Sequence, residues 1–379
     1  MHPPSLSSAF DSGNGRLLRF EPPGTFTVAL ERDAGGQFLQ WFHVRLAGVR
    51  GIDVCLRIVG LQHSAYPAGW PGYRARASED RQTWRAVETA WHPEEEEGTL
   101  AVRLRPQADA VSIAYFAPYS LERHADLVAR MAGRPGVRLA VLGASVEGRP
   151  IDCLSLGEGA RQCWITARQH PGETMAEWWA EGALEELTDP DSPLAARLRA
   201  RATFHVVPNM NPDGSVRGFL RTNAAGANLN REWAAPCAQR SPEVLAVRAA
   251  MDRTGVDFAL DVHGDEALPH VFIAGFEGIP SASPRLLGLL ERLRERLLVH
   301  APGFQTVVGY PLPPAGEAHM GMATNQIAHR YGALAATLEM PFKDSTELPS
   351  PDGGWSPGRC RHLARGCLAA LDDILDELR

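Results

Sequence analysis

No CxxC pair occurs among the six cysteines (Cys55, Cys153, Cys163, Cys237, Cys360 and Cys367), and their scatter argues against both a disulfide scaffold and a thiolate zinc site. A reducing cytoplasm is the compartment that this usage fits. The chain also lacks any apolar run near the roughly 20 residues needed to span a bilayer. Its start, MHPPSLSSAFDSGNG, has none of the basic-then-apolar pattern of a secretory signal. No membrane partner is expected. Positive charge is in deficit too: 38 Lys plus Arg stand against 45 Asp plus Glu, a net of -7, so there is no general attraction for phosphate backbones. Nucleic acid is excluded as a first partner, and no internal repeat points to an array.

What is present is an ordinary globular balance, 44% hydrophobic and 22% charged over 379 residues, long enough for two domains. Up to about residue 117 the chain reads as short strands at 25–30, 38–48, 53–60, 83–88, 99–106 and 110–118. Apolar and polar residues alternate there between Gly, Pro and Asp turns, which favours an antiparallel β-sandwich. The acidic run Glu94 to Glu97 is read as a solvated loop.

From 121–133 onward apolar strands alternate with helical stretches at about 174–188, 241–254, 283–298 and 357–378, the texture of an α/β layer fold with a buried, mostly parallel sheet. The Pro/Gly-rich segment 309–324 reads as a long loop. The expected architecture is an N-terminal β-sandwich over 1–117, followed by an α/β domain over 118–379 whose mixed, mostly parallel sheet is flanked by helices.

A His and a Glu two residues apart can face one point when the residues between them turn tightly. HxxE occurs three times, as His92/Glu95, His170/Glu173 and His263/Glu266. His92 opens the acidic loop and has nothing apolar to hold it. His170 and His263 each end an apolar strand, where α/β sheets place ligands. Pro171-Gly172 supplies the turn between His170 and Glu173. Two His and one carboxylate are a standard catalytic zinc set, and His170, Glu173 and His263 would supply it. The bland alternative is a hydrogen-bonded strand-end His beside a Glu that suits a helix dipole.

Between these segments, Arg221 and the pair Asn230-Arg231 offer planar donors for carboxylates and oxyanions. Glu339 ends the strand ALAATLEM, a costly place for a charge, and a buried Glu beside a metal can take a proton from bound water. Trp178 and Trp179 on the helix after Glu173, and His205 within a strand, are read as packing residues.

Taken together, HPGE (170–173), NPDG (211–214), LRTN (220–223), NLNREW (228–233), LDVHG (260–264) and ATLEMPF (336–342) resemble, in order, the motifs of the M14 zinc metallocarboxypeptidases. The preceding β-rich region makes the chain most similar to their cytosolic carboxypeptidase subfamily. The resemblance implies Zn2+ held by His170, Glu173 and His263, with Glu339 as general base and Arg221 at the oxyanion. It further implies Asn230 and Arg231 on the terminal carboxylate of a peptide or protein substrate. Asp261 would orient His263 from behind.

Members that trim glutamate carry a Gly-Thr-Gly-Arg-like stretch before the base. Here GMATNQIAHRYG (321–332) has no arginine at the matching place, and Arg330 lies several residues later. A preference for C-terminal glutamate is thereby left without its arginine, and Tyr310 is the candidate for the family's substrate-covering tyrosine. Two other functions stay open at this level: a zinc deacylase of N-acyl amino acids and a catalytically silent binding module.

Overall fold

The computed structural model describes residues 3–350 and 353–378. Alternation in the N-terminal third does produce strands. They form two five-stranded sheets, one ordered Ser5–Ser7, His43–Ala47, Ala110–Ala114, Arg76–Ser78, Arg85–Ala86 and the other Arg16–Glu21, Thr25–Ala29, Val54–Val59, Thr99–Leu104, Glu88–His92. In Val54–Val59 the buried positions are every second residue, so one face, with Val54, Leu56 and Ile58, packs inward. All but one of the pairings are antiparallel. The exception is Thr25–Ala29 beside Val54–Val59, because the intervening strand His43–Ala47 joins the other sheet and the chain returns in its first direction. Only short 3-10 turns, Leu61–His63 and Pro67–Gly69, interrupt the strands.

The rest of the chain is built on a seven-stranded sheet ordered Arg138–Ala144, Pro150–Leu156, Ala202–Val207, Arg161–Ala167, Phe258–Asp265, Leu334–Pro341, Phe272–Ala274. The four strands from Ala202–Val207 to Leu334–Pro341 are parallel, and both flanks are antiparallel. Continuous apolar sequence explains the centre: all eight residues of Leu334–Pro341 are buried.

The expected helices form as Met175–Thr188, Pro242–Thr254, Pro284–His300 and Pro357–Ile374. Four further helices appear among the described residues, including Leu121–Ala132 and the short Pro212–Arg217. Pro193–Arg201 is announced by the Ser192 cap and Pro193 at the first turn, and Ala323–Tyr331 follows the long loop and stops at Gly332, φ 62°. Trp178 and Trp179 are buried in the helix Met175–Thr188. His205 is bonded at both ring nitrogens, to Ser155 at 2.8 Å and Gln162 at 2.9 Å, as a satisfied interior histidine.

The two parts share packing. Tyr115 stacks on Phe342 with centroids 4.5 Å apart, and the carbonyl of Ala117 accepts both Thr174 Oγ1 and Trp178 Nε1, at 2.9 and 3.0 Å. Buried Arg76 of the first part donates to the Trp355 carbonyl of the second at 3.0 Å. The chain leaves Arg161–Ala167 for Ala202–Val207 on one side and later returns to Phe258–Asp265 on the other. That reversal opens a crevice at the carboxyl ends of these strands.

Candidate metal centre and active site

His170 follows the strand Arg161–Ala167, on a turn that the buried side chain of Arg168 holds from beneath. Arg168, at φ 59°, donates to the carbonyls of Pro171 and Tyr119 at 3.0 and 2.7 Å and to Glu177 at 2.6 Å. Gly172 lets the turn lie close against its neighbour, since a Cβ there would lie 3.0 Å from the backbone of Leu220. The turn closes with Glu173 N–H donating to the His170 carbonyl at 3.1 Å and delivers Glu173 into the crevice.

His263, on the next strand, meets both residues there: its Nδ1 is 2.7 Å from Glu173 Oε2 and 3.2 Å from His170 Nδ1. His170 Nδ1 is 2.6 Å from Glu173 Oε1. The candidate donor atoms of all three residues lie within 4.8 Å of one another, and all three residues are buried.

The far side of each ring decides its chemistry. His263 Nε2 faces Asp261 Oδ2 at 2.8 Å, and His170 Nε2 faces Asn228 Oδ1 at 3.0 Å. Asn228 is oriented because the same oxygen accepts the Asn230 N–H at 3.1 Å. Each ring thus faces an acceptor oxygen on both sides; with the hydrogen on Nε2, held by its outer partner, each Nδ1 presents a lone pair toward Glu173. Two lone pairs and a carboxylate converging on one point need a cation among them, and this donor set suits zinc.

The local field favours positive charge at this point. Burial opposes charge on His263, yet Asp261 and Glu173 hold its pKa well above the usual value, while Glu173 stays below its own range despite burial because both histidines face it. His170, buried and near Arg221, is lowered to about 4. Asp261 is itself fixed by Thr166 Oγ1 at 2.9 Å and Gln169 Nε2 at 2.5 Å, and Gln169 by Trp233 Nε1 at 2.8 Å. Outer contacts of this kind fix ring orientation and ligand basicity.

Glu339 lies beside His263 in strand register, and its Oε2 is buried with no hydrogen-bond partner among the described residues. Burial raises its pKa well above the carboxylate range; the Glu173 charge adds to this and His263 opposes it. Arg221 Nη1 is 3.9 Å from Glu173 Oε1. The Asn230 side chain accepts the Ala323 N–H at 2.8 Å, and Arg231 Nη1 donates to the Asn230 carbonyl at 2.6 Å. All seven residues singled out in the sequence line one cavity of about 1010 Å³.

Tyr310 lines the same cavity, with its hydroxyl donating to Asp265 at 2.7 Å and its ring edge-on to Phe272. Arg330 does not reach it and pairs with Asp252 on the surface at 2.8 Å.

Three residues of this neighbourhood have no local sequence signal. Asp33, Phe38 and Tyr66 come from loops between the N-terminal strands and close on Arg221. Glu266, the partner in the third HxxE, is buried in the cavity wall with Oε1 unpartnered among the described residues. It does not bond His263.

Comparison with known proteins follows this division. The family model of the cytosolic carboxypeptidase N-terminal domain matches residues 6–116, and that of zinc carboxypeptidase matches 125–269. A Pseudomonas aeruginosa metallo-carboxypeptidase solved in complex with (2-guanidinoethylmercapto)succinic acid is 44% identical, with a TM-score of 0.95 over 99% of this chain and 100% of that one. A Burkholderia cenocepacia metallo-carboxypeptidase is 43% identical, TM-score 0.95, over 98% and 99%.

An uncharacterized protein of Zymomonas mobilis is 52% identical over 98% of this chain and 97% of its own. Human cytosolic carboxypeptidase 4 is 31% identical over 47% of this chain but only 18% of that much longer protein. No helix among the described residues is long and apolar enough to cross a membrane. The chain is a carboxypeptidase that belongs to the M14 zinc carboxypeptidase family, in the branch that carries the cytosolic carboxypeptidase N-terminal domain.

Proposed function

We propose that this enzyme is a zinc-dependent carboxypeptidase that hydrolyses the last peptide bond of peptides or proteins, with residues 118–379 as its catalytic domain and 1–117 as a separate β domain. What supports zinc most strongly is the convergence of both Nδ1 atoms and the Glu173 carboxylate, with each imidazole oriented from behind. Bound by His170, Glu173 and His263, the ion would supply a Lewis acid and an acidified water.

Around it, Glu339 takes the proton of the attacking water and returns it to the leaving amine. A carboxylate raised by burial is suited to both transfers, since a pKa nearer neutrality balances them. Arg221 donates to the carbonyl oxygen as it gains charge. Asn230 and Arg231 hold the free terminal carboxylate, which sets the exopeptidase register. Tyr310, already in the wall, is the candidate to cover the bound residue.

The cavity wall also carries the polar side chains of Asn325, Thr337 and His319. The Thr324 and Thr337 hydroxyls bond at 2.7 Å, and Asn325 donates to the His319 carbonyl at 3.1 Å. The remaining wall arginine, Arg294, is paired with Glu277 and Glu291. A C-terminal glutamate would find no free cation among these residues. A cytoplasmic location fits the six free thiols.

The test is Glu339→Gln with a C-terminal release assay on a mixed peptide library. The variant keeps zinc and loses turnover by a factor on the order of 10² or more, the lower end of what a positioned base contributes. A fully active variant contradicts the assignment, and release of acyl groups in place of C-terminal residues would identify a deacylase.

A further inference from the structure

Arg221 is the one proposed active-site group whose surroundings come mainly from loops of the N-terminal region. Its guanidinium makes no hydrogen bond among the described residues, so its donors stay available to a substrate. Its position is instead set from two sides. Beneath it, the carboxylate of Asp33 accepts three consecutive backbone N–H groups, from Leu220 at 2.8 Å, Arg221 at 2.6 Å and Thr222 at 3.0 Å. The Thr222 hydroxyl adds a bond to the Ala34 carbonyl at 3.3 Å. Beside it, the guanidinium carbon lies 5.7 Å from the Phe38 ring centre and 5.5 Å from that of Tyr66. An aromatic face attracts a guanidinium without consuming its N–H donors.

The same segment is clamped upstream. Ser12 N–H donates to the Val216 carbonyl at 2.9 Å, and Asn14 Nδ2 to the Gly218 carbonyl at 3.0 Å. Gly218, at φ 66°, lies where a Cβ would strike the Gly13 carbonyl oxygen at 2.6 Å. Asp33 is 4% exposed, an unusual location for a carboxylate unless it has a task.

We propose that Asp33, with Phe38 and Tyr66, is a positioning group for Arg221, which makes the N-terminal β domain a working part of the active site. The proposal rests on the assignment of Arg221 to the carbonyl oxygen. An arginine that must meet charge only as it develops gains most from a fixed location, because its donors are then arranged before the reaction begins. Asp33 fixes the backbone of residues 220–222, and the two rings fix the direction of the side chain. A small displacement of the donors would lower the rate of the chemical step and leave substrate capture by Arg231 intact.

The experiment uses the zinc-loaded full chain and an N-acyl dipeptide ending in the residue that the library assay selects. For Asp33→Asn, Phe38→Leu and Arg221→Ala it measures kcat, KM, zinc content and, by calorimetry, affinity for the phosphonate analogue of that dipeptide. An Asn side chain turns an N–H toward at least one amide that needs an acceptor, so Asp33→Asn disturbs the loop at nearly constant volume.

Expected is a fall of about tenfold or more in kcat for Asp33→Asn, with a matching loss of phosphonate affinity. KM should stay within about twofold, and zinc content should not change. Phe38→Leu shifts the same two quantities by a smaller factor; being half-buried, it reports on the proposal even if the Asp33 variant fails to fold. Unchanged kcat and phosphonate affinity in the folded variants, or a loss confined to KM, overturns the proposal if Arg221→Ala is itself impaired. Wild-type kcat in Arg221→Ala overturns the assignment of Arg221 and the proposal with it.

Discussion

Two turns of this chain share the HxxE spacing and nothing else. At His92 and Glu95 the ring nitrogen and carboxylate are 3.8 Å apart, and the side chains are 37% and 48% exposed. At His170 and Glu173 they are 2.6 Å apart and 4% and 3% exposed. The first pair sits on a strand-end loop in water, where an ion pair of this kind is worth little. The second is pressed between strand ends, receives His263 from a neighbouring strand, and is backed by Asp261, Gln169 and Asn228. Spacing therefore creates only the possibility of a site. Burial, a third donor and oriented rings make one that a cation must satisfy.

That difference extends below the turn. Arg168 beneath His170 pairs with Glu177, which also faces His124 at 2.6 Å, with Asp152 on the other ring nitrogen at 3.3 Å. Burial opposes the His124 charge, but Glu177 and Asp152 together raise its pKa to about 9. A raised histidine binds its proton more tightly in the folded state. Its stabilisation is present below pH 6.5 and is lost as pH rises through about 9. Urea unfolding of the wild type should lose on the order of 3 kcal/mol across that window. His124→Gln should be flatter over the same range, and equal slopes would refute the network's role.

A smaller effect sharpens the comparison at the metal. Asp261→Asn keeps the shape behind His263 but removes the charge, and zinc affinity should fall by about 10–100-fold. Chelator competition measures this, and an unchanged affinity would show that the ring needs no charged support. The smallest effect is expected at the exposed turn, where His92→Ala should leave zinc content unchanged and stability within about 0.5 kcal/mol. A loss of zinc in that variant would erase the distinction between the two turns.

Much of this was legible in the chain. Runs such as ALAATLEM announced central strands, and the residues ending them, His263 and Glu339, came out side by side because parallel strands align their carboxyl ends. The edge strand Arg138–Ala144 was not legible, since most of its residues are exposed and carry no alternation against a core. Nor was Asp33. It lies 187 residues from the Leu220 amide it binds, in a stretch, RDAGGQF, that looks like any turn. Local pattern reports what a segment does with its own neighbours, whereas Asp33, Phe38 and Tyr66 contact a segment far along the chain. Glu266 shows the converse: its HxxE spacing is present, but the strand directs it away from His263 into the cavity wall.

The most direct test of the metal centre is the zinc content of purified wild type, His170→Ala and His92→Ala, each equilibrated with zinc and then dialysed. The account predicts one zinc per chain in the wild type and in His92→Ala, and loss of the ion in His170→Ala. Retention of zinc by His170→Ala, or a metal-replete wild type that binds none, would contradict it.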